Sequence, residues 1–236
     1  MKRILLLFWL MGLACTDQKK PKIVHGTDGS KTMDVAIKDT TSIRMMDFPI
    51  HIDSTNYLLH PVGDFVLKDG RNKVLFSSRW YEQANYNVAR TDGTYIAGNL
   101  SNILFQTLDS NGIAPLTKKD MNIQYLTFLR DIYKQLNKSY LLYEINDRDT
   151  NQDGSIDNND VSALYLSKLD GSNFTKLTAE GHELLDWKLV STANRLYYKT
   201  IEDTDRDGDF DKKDRFHYYF INFYDPQLKS FPYQPL

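Results

Sequence analysis

Short runs of aromatic and branched apolar residues recur along the chain, each closed by Asp, Asn or Gly. Tyr140-Leu141-Leu142-Tyr143-Glu144-Ile145 is one such run, and Ala163-Leu164-Tyr165-Leu166 follows it. Leu196-Tyr197-Tyr198-Lys199-Thr200-Ile201 and Tyr218-Tyr219-Phe220-Ile221 repeat the pair further on. Runs of this length and composition, bounded by turn formers, predict strands. They belong to a larger pattern of strand, Asp/Gly turn, short strand and Leu-Thr. Leu104 to Gly112 leads to Leu116-Thr117, and Leu164 to Gly171 leads to Leu177-Thr178, an offset of 61 residues. Tyr219 to Pro226 is a third copy without the Leu-Thr. The units run over roughly 71–120, 121–180 and 181–233. A divergent fourth begins near Met45, with Tyr57-Leu58-Leu59-His60-Pro61 as one strand. In the second unit the strands are expected at Gln124 to Leu129, Tyr140 to Ile145, Leu164 to Leu169 and Phe174 to Leu177. Periods of about 40–50 residues with four short strands apiece mark propeller blades. The expected fold is all-β: propeller-like repeats of four-stranded antiparallel blades, three to four in number. Propellers have about four to eight blades, so an irregular or incomplete ring is expected. A β-sandwich of the same hairpins is the alternative.

A twelve-residue acidic segment sits inside each strand pair. The first runs Asp149-Thr150-Asn151-Gln152-Asp153-Gly154-Ser155-Ile156-Asp157-Asn158-Asn159-Asp160. The second runs Asp203-Thr204-Asp205-Arg206-Asp207-Gly208-Asp209-Phe210-Asp211-Lys212-Lys213-Asp214 and starts 54 residues later. Both fit the calcium-loop pattern D-x-[DN]-x-[DN]-G of EF-hand proteins, with Asp in place of Glu at position twelve. Calcium takes about six to eight oxygens. Asp149, Asn151 and Asp153, and in the second segment Asp203, Asp205 and Asp207, offer side-chain oxygens at positions one, three and five. Ser155 and Asp209 offer the backbone carbonyl of position seven. Asp157 and Asp211 stand at position nine, which often acts through a water, and Asp160 and Asp214 close each loop. Gly154 and Gly208 permit the sharp turn. Ile156 and Phe210, at position eight, are expected to pin each loop to a core. Asp, Asn and Gly also dominate ordinary turns, but two matches with correct glycines argue against chance. The flanks read as strands, so each loop is expected to join an antiparallel hairpin rather than two helices. A helical turn is expected to begin near Val161. Two calcium ions are the expected cofactors.

Composition changes this picture little. The chain has 236 residues, 41% of them hydrophobic and 25% charged, which fits a globular protein with a sizeable core. Fifteen Tyr and twelve Phe favour β structure. A formal net charge of −2 gives no reason to expect a nucleic-acid partner.

The N-terminus reads as an export signal. Lys2 and Arg3 precede an apolar stretch from Ile4 to Leu13, too short to span a bilayer stably. Cys15 follows Gly12 and Ala14 and is the only cysteine, so no intramolecular disulfide forms. Residues 1–15 resemble the signal of a bacterial lipoprotein, which implies lipid on Cys15 and a membrane anchor in the cell envelope. They depart from the usual pattern: Gly12 stands where Leu is commonest, and Gly12-Leu13-Ala14 also fits an ordinary cleavage site. Polar residues 16–44 read as a tether, and residues 45–236 as the folded domain.

The repeats, with their acidic loops followed by Leu-Tyr-x-x-x-Leu and Leu-Thr, resemble the TolB-like or WD40-like propellers of bacterial envelope proteins. The resemblance covers residues 120–232 well and 70–120 less well. It implies Asp149, Asn151, Asp153, Asp157 and Asp160 as ligands in one blade, and Asp203, Asp205, Asp207, Asp211 and Asp214 in the next.

Catalytic signatures are lacking. His25, His51, His60, His182 and His217 show no zinc-binding spacing, and no nucleophile elbow or phosphate-binding glycine loop occurs. A triad drawn from His51, Asp53, Ser54 and His60 uses residue types that recur in any chain of this length. Trp80 and Trp187 are expected in blade cores. The stretch from Tyr81 to Ile96 is long, and Tyr81, Tyr86, Tyr95 and Arg90 could form a binding surface or an ordinary packed loop. The expected function is a calcium-stabilised, lipid-anchored envelope protein that binds a protein or glycan without turning it over. The alternative is an envelope enzyme or glycan-directed accessory. An enzyme would show a carboxylate pair or a His constellation outside the acidic loops; a binding module would show an exposed aromatic patch.

Overall fold

Residues 20–25, 42–66 and 87–235 are described by the structure, a computed structural model. The export signal with Cys15, and Trp80, Tyr81 and Tyr86, lie outside these residues. All strand pairings are antiparallel, as an all-β chain of successive hairpins requires.

The strands form three meanders in chain order. The first region holds β1 (Ser42–Met46), β2 (Ile50–His51), β3 (Tyr57–Val66), β4 (Ala89–Thr91), β5 (Tyr95–Thr107) and β6 (Ile113–Pro115). Here β2, β3, the end of β5 and β6 lie side by side. The first meander therefore takes strands from both the expected fourth unit near Met45 and the expected unit 71–120. These are one unit, not two, because a long insertion separates its second strand from its third. The second meander is β7 (Asn122–Phe128), α1 (Arg130–Leu136), β8 (Tyr140–Asn146), β9 (Ser162–Lys168) and β10 (Thr175–Lys176). The third is β11 (His182–Val190), β12 (Arg195–Glu202), β13 (Arg215–Asn222) and β14 (Ser230–Pro232).

One hydrogen bond closes the central hairpin of each meander at the same place. Leu108 N–H donates to Asn56 O at 3.0 Å, Leu169 to Ser139 at 3.1 Å, and Phe223 to Asn194 at 2.9 Å. The Leu of each Leu-Thr has a fixed duty too. Leu116 N–H donates to Ile103 O, and Leu177 N–H to Leu164 O, docking the fourth strand on the third. Strand β5 links the first two meanders. Its end pairs with β3, whereas Tyr95 to Leu100 pair with β7 across a register shift, so these meanders share one sheet. The third meander is a separate four-stranded sheet. Among the described residues neither sheet closes on itself.

Burial explains why β8 lacks the alternation of a one-sided strand. Leu141, Tyr143 and Ile145 enter a core shared with Leu59, Ile103 and Phe105 of the first meander. Leu142, on the opposite face, enters a second core with Leu164, Leu166, Leu196, Tyr198 and Ile221 of the second and third meanders. The β8 strand of the second meander is thus covered on both faces, and strands buried on both faces read as continuous apolar runs.

Helix α1 is an exception to the all-strand reading. Leu129, Ile132 and Leu136 fall at helical spacing and pack on the second core. Asn137 ends the helix in the left-handed region with φ 53°, its N–H donating to Tyr133 O. The helical turn expected at Val161 does not form. Val161 N–H donates to the Thr150 hydroxyl across the loop, and β9 begins at the next residue.

Candidate metal centre

Both acidic loops join the central strands of a meander, β8 to β9 and β12 to β13, as expected. Their backbones follow the same path. Position four is left-handed in each, at Gln152 (φ 59°) and Arg206 (φ 60°), and position six is a left-handed glycine, Gly154 (φ 88°) and Gly208 (φ 86°). Gly208 has a second reason to lack a side chain: a Cβ there would lie 2.7 Å from Ile23 O. The first carboxylate accepts from the glycine N–H in each loop, Asp149 from Gly154 at 2.8 Å and Asp203 from Gly208 at 2.9 Å. Asn151 and Asp205 accept from the N–H of position five, and Asp153 and Asp207 from that of position seven.

The closing aspartates fold back on their own loops. Asp160 is fully buried, with Oδ1 accepting from Thr150 N–H at 2.7 Å and Oδ2 from Asp157 N–H at 2.9 Å. Asp214 repeats both bonds with Thr204 and Asp211. Burial raises the Asp160 pKa above the usual carboxylate value, against these N–H donors. A carboxylate has about four lone-pair sites. Asp214 keeps room for a cation on both oxygens, whereas Asp160 Oδ1 also accepts from Asn151 N–H at 3.2 Å, so the room at Asp160 is on Oδ2. Ile156 and Phe210 are half-buried and belong to neither core, so position eight pins the loops less than expected.

The second loop carries the stronger features of a cation site. Oxygens of Asp203, Asp205 and Asp207 lie within 4.8 Å of one another. Asp203 Oδ1 is buried without a hydrogen-bond partner, a costly state for a carboxylate oxygen unless something positive meets it. The Lys213 ammonium lies 3.1 Å from Asp207, 3.3 Å from Asp205 and 3.8 Å from Asp211. Its bonds to Asp207 and Asp205 hold its pKa above the ordinary lysine value. A positive charge is thus already drawn to the ligands of positions three, five and nine. This donor set, all oxygen and mostly carboxylate, fits a hard divalent ion. In the first loop no three acidic side chains gather that closely among the described residues, and position three is an amide.

The first loop is instead fixed by a buried amide network. Asn122 Nδ2 donates to Asn146 Oδ1 and Asn158 Oδ1, and Asn146 Nδ2 donates to Asp160 O. Residues 20–25, inside the stretch expected as a tether, cross both loops. Val24 N–H donates to Thr150 O, Lys22 N–H to Asn159 O and Ile23 N–H to Gly208 O. His25 Nε2 lies 2.7 Å from Asp203 Oδ2.

Protein-family models and curated proteins show no match to this chain. Its chemistry must therefore be read from its own residues.

Three further features were not legible in the sequence. First, His182, Glu202 and His217 gather on one face of the third sheet, with ligand atoms within 4.8 Å of one another. Second, a cleft of about 530 Å³ is lined by Gln124, Glu144, Ser162, Glu183 and Trp187. Trp187, half-buried against the second core, donates its indole N–H to Glu144 at 2.7 Å. Glu183 is buried, accepts from Ser162 N–H, and has its pKa pushed up to about 8 by burial. Third, the other face of the third sheet is aromatic. Tyr197, Phe220, Phe231 and Tyr233 meet in pairs with ring centres 5.5–6.2 Å apart: Phe220 stacks on Phe231, Tyr233 meets Tyr197 and Phe220 edge-on, and Arg195 lies over the Phe220 ring. Phe231 is 40% exposed. The composition of β12 and β13 hinted at this patch, but only pairing decides which face each ring takes.

Proposed function

We propose that this chain is a calcium-binding, lipid-anchored protein of the bacterial cell envelope that binds a protein or glycan without turning it over. The observation that carries the calcium reading is the orphaned, buried Asp203 Oδ1 at the head of a loop whose backbone matches its twin. Calcium would be held by Asp203, Asp205, Asp207, Asp209, Asp211 and Asp214 in the second loop. In the first it would be held by Asp149, Asn151, Asp153, Ser155, Asp157 and Asp160. It would supply a fixed double charge that offsets repulsion among carboxylates and fastens the hairpin connection. The three successive meanders, packed together through two shared cores, support reading them as propeller-type blades, and the aromatic face of the third supports a docking surface. Lipid on Cys15 would hold the domain at the membrane, since several acyl chains anchor stably where one does not.

Titration calorimetry with calcium on the chain lacking residues 1–15 tests the metal. Extracellular modules bind at roughly 10⁻⁴–10⁻³ M, and no calcium-dependent heat in that range would overturn the reading. Membrane fractionation of Cys15→Ser tests the anchor: loss of the lipid mass and release from membranes are expected.

The cleft favours a second reading. Glu183, whose pKa burial pushes up to about 8, lines the same cleft as Glu144; such a carboxylate pair is what acid–base chemistry uses, and it lies outside the acidic loops. An envelope hydrolase working there would lose activity on glycan substrates in both Glu144→Gln and Glu183→Gln.

A further inference from the structure

We propose that His182, Glu202 and His217 form a binding site for one divalent transition-metal ion of the zinc class, separate from the calcium loops. The three residues come from three neighbouring strands. His182 on β11 pairs directly with Glu202 on β12, and Thr200, two residues before Glu202, pairs with His217 on β13. Side chains two apart on a strand share a face, as do directly paired residues. The register therefore places two imidazoles and a carboxylate on the face that carries Tyr198 and Leu196, at the edge of the second core.

Their arrangement suits a shared ion. His217 Nε2 lies 2.8 Å from Glu202 Oε2, and the two imidazole rings are 4.7 Å apart. Zinc–nitrogen bonds of about 2.0–2.1 Å set tetrahedral ligands roughly 3.3 Å apart. The ion would replace the proton shared by His217 and Glu202, and small side-chain rotations would bring in His182. The Thr200 hydroxyl lies 3.1 Å from His182 Nδ1. With Nδ1–H donating to this hydroxyl, Nε2 would present its lone pair to the ion and the ring would be held in place, as outer-sphere partners of metal-bound histidine do. The site is partly shielded: the side chains of His217 and Glu202 are 24% and 41% exposed. Two imidazoles with one carboxylate favour zinc, nickel, copper or cobalt over calcium. Three protein ligands leave a coordination position open.

The test uses the full chain in detergent, stripped of metal and held in excess calcium so that the acidic loops are not available. Cobalt(II) is then titrated, followed by displacement with zinc. One cobalt per chain is expected, with the visible absorption of a four- or five-coordinate nitrogen–oxygen site that zinc abolishes. His217→Ala and His182→Ala each remove the signal while circular dichroism stays that of the parent. Thr200→Val keeps the three ligands and weakens binding about 10–100-fold. Asp205→Asn, in the calcium loop, leaves cobalt binding unchanged. Absence of stoichiometric cobalt binding overturns the proposal, as does binding that persists in both histidine variants. Binding lost in Asp205→Asn but kept in His217→Ala assigns the cobalt to the calcium loop and overturns it equally. The histidine variants and Asp205→Asn separate this site from the loops even if the loops take no calcium.

Discussion

The Thr150 hydroxyl donates to the backbone carbonyl of Lys22, 128 residues earlier in the chain, at 2.8 Å. Thr150 also sends its N–H to Asp160, the closing residue of the first acidic loop. A short segment near the N-terminus is thereby tied to the residue that locks the loop, and Ile23 is tied to Gly208 in the other loop. In the proposed function this segment follows the lipid anchor, so both loops set how the domain is held near its membrane.

Calcium should protect this segment. Trypsin cleaves after Lys22 only when the backbone around it leaves the loops. Chelation is expected to speed that cut, followed by mass spectrometry of the N-terminal fragment, relative to cuts elsewhere. Gly208→Ala should release the segment even with calcium, and should cost about 1–3 kcal/mol in urea unfolding through its left-handed backbone. Equal cleavage rates with and without calcium would remove the coupling.

Lys213 should compete with the metal. Its ammonium sits on Asp205 and Asp207, so Lys213→Ala is expected to tighten calcium binding at the second loop several-fold at low salt, and less at high salt. Asp203→Asn should abolish that site and spare the first. Calorimetry separates the two sites through these variants. For the parent, calcium at a hundredfold excess over Kd should add about 2.7 kcal/mol of stability for each site filled.

Asp160 should matter to folding without any metal. Its two oxygens hold both ends of the first loop in a buried setting. Asp160→Asn turns one acceptor into a donor facing Asp157 N–H. A loss of about 2–4 kcal/mol is expected in chelator, measured by urea unfolding. A variant as stable as the parent would show that the amide network of Asn122 and Asn146 holds the loop alone.

Glu183 should make stability fall as pH rises. Its folded pKa of about 8 lies above the ordinary value of 4.5. Between those values the folded chain keeps a proton that the unfolded chain has lost. Its favourable contribution is therefore complete below pH 4.5 and gone above 8. Glu183→Gln keeps an acceptor for Ser162 N–H and carries no charge. It should flatten this part of the pH profile and stabilise the protein at pH 8.5 by up to about 5 kcal/mol, with calcium held constant. An unchanged slope in the variant would mean that Glu183 ionises normally.

The sequence by itself determined what is local. The acidic loops were legible because all their oxygens lie within twelve residues, and Gly154 and Gly208 must be glycine for a turn that neighbours hardly influence. The strands flanking them were legible for the same reason, as was the Leu-Thr that docks each short fourth strand in the first two meanders. Tertiary structure decided whatever depends on register or on the facing sheet. The unit boundaries were misplaced because β3 and β5 pair across a long insertion. Helix α1 was hidden because Leu129, Ile132 and Leu136 are few and lie between obvious strands. His182, Glu202 and His217 have no common spacing, and only the pairing of three strands puts them on one face. The same pairing sends Tyr197 outward and Tyr198, its neighbour, into the core, since a strand alternates faces at every residue. Neither choice can be read from one strand, because each is set by what the adjacent sheet covers.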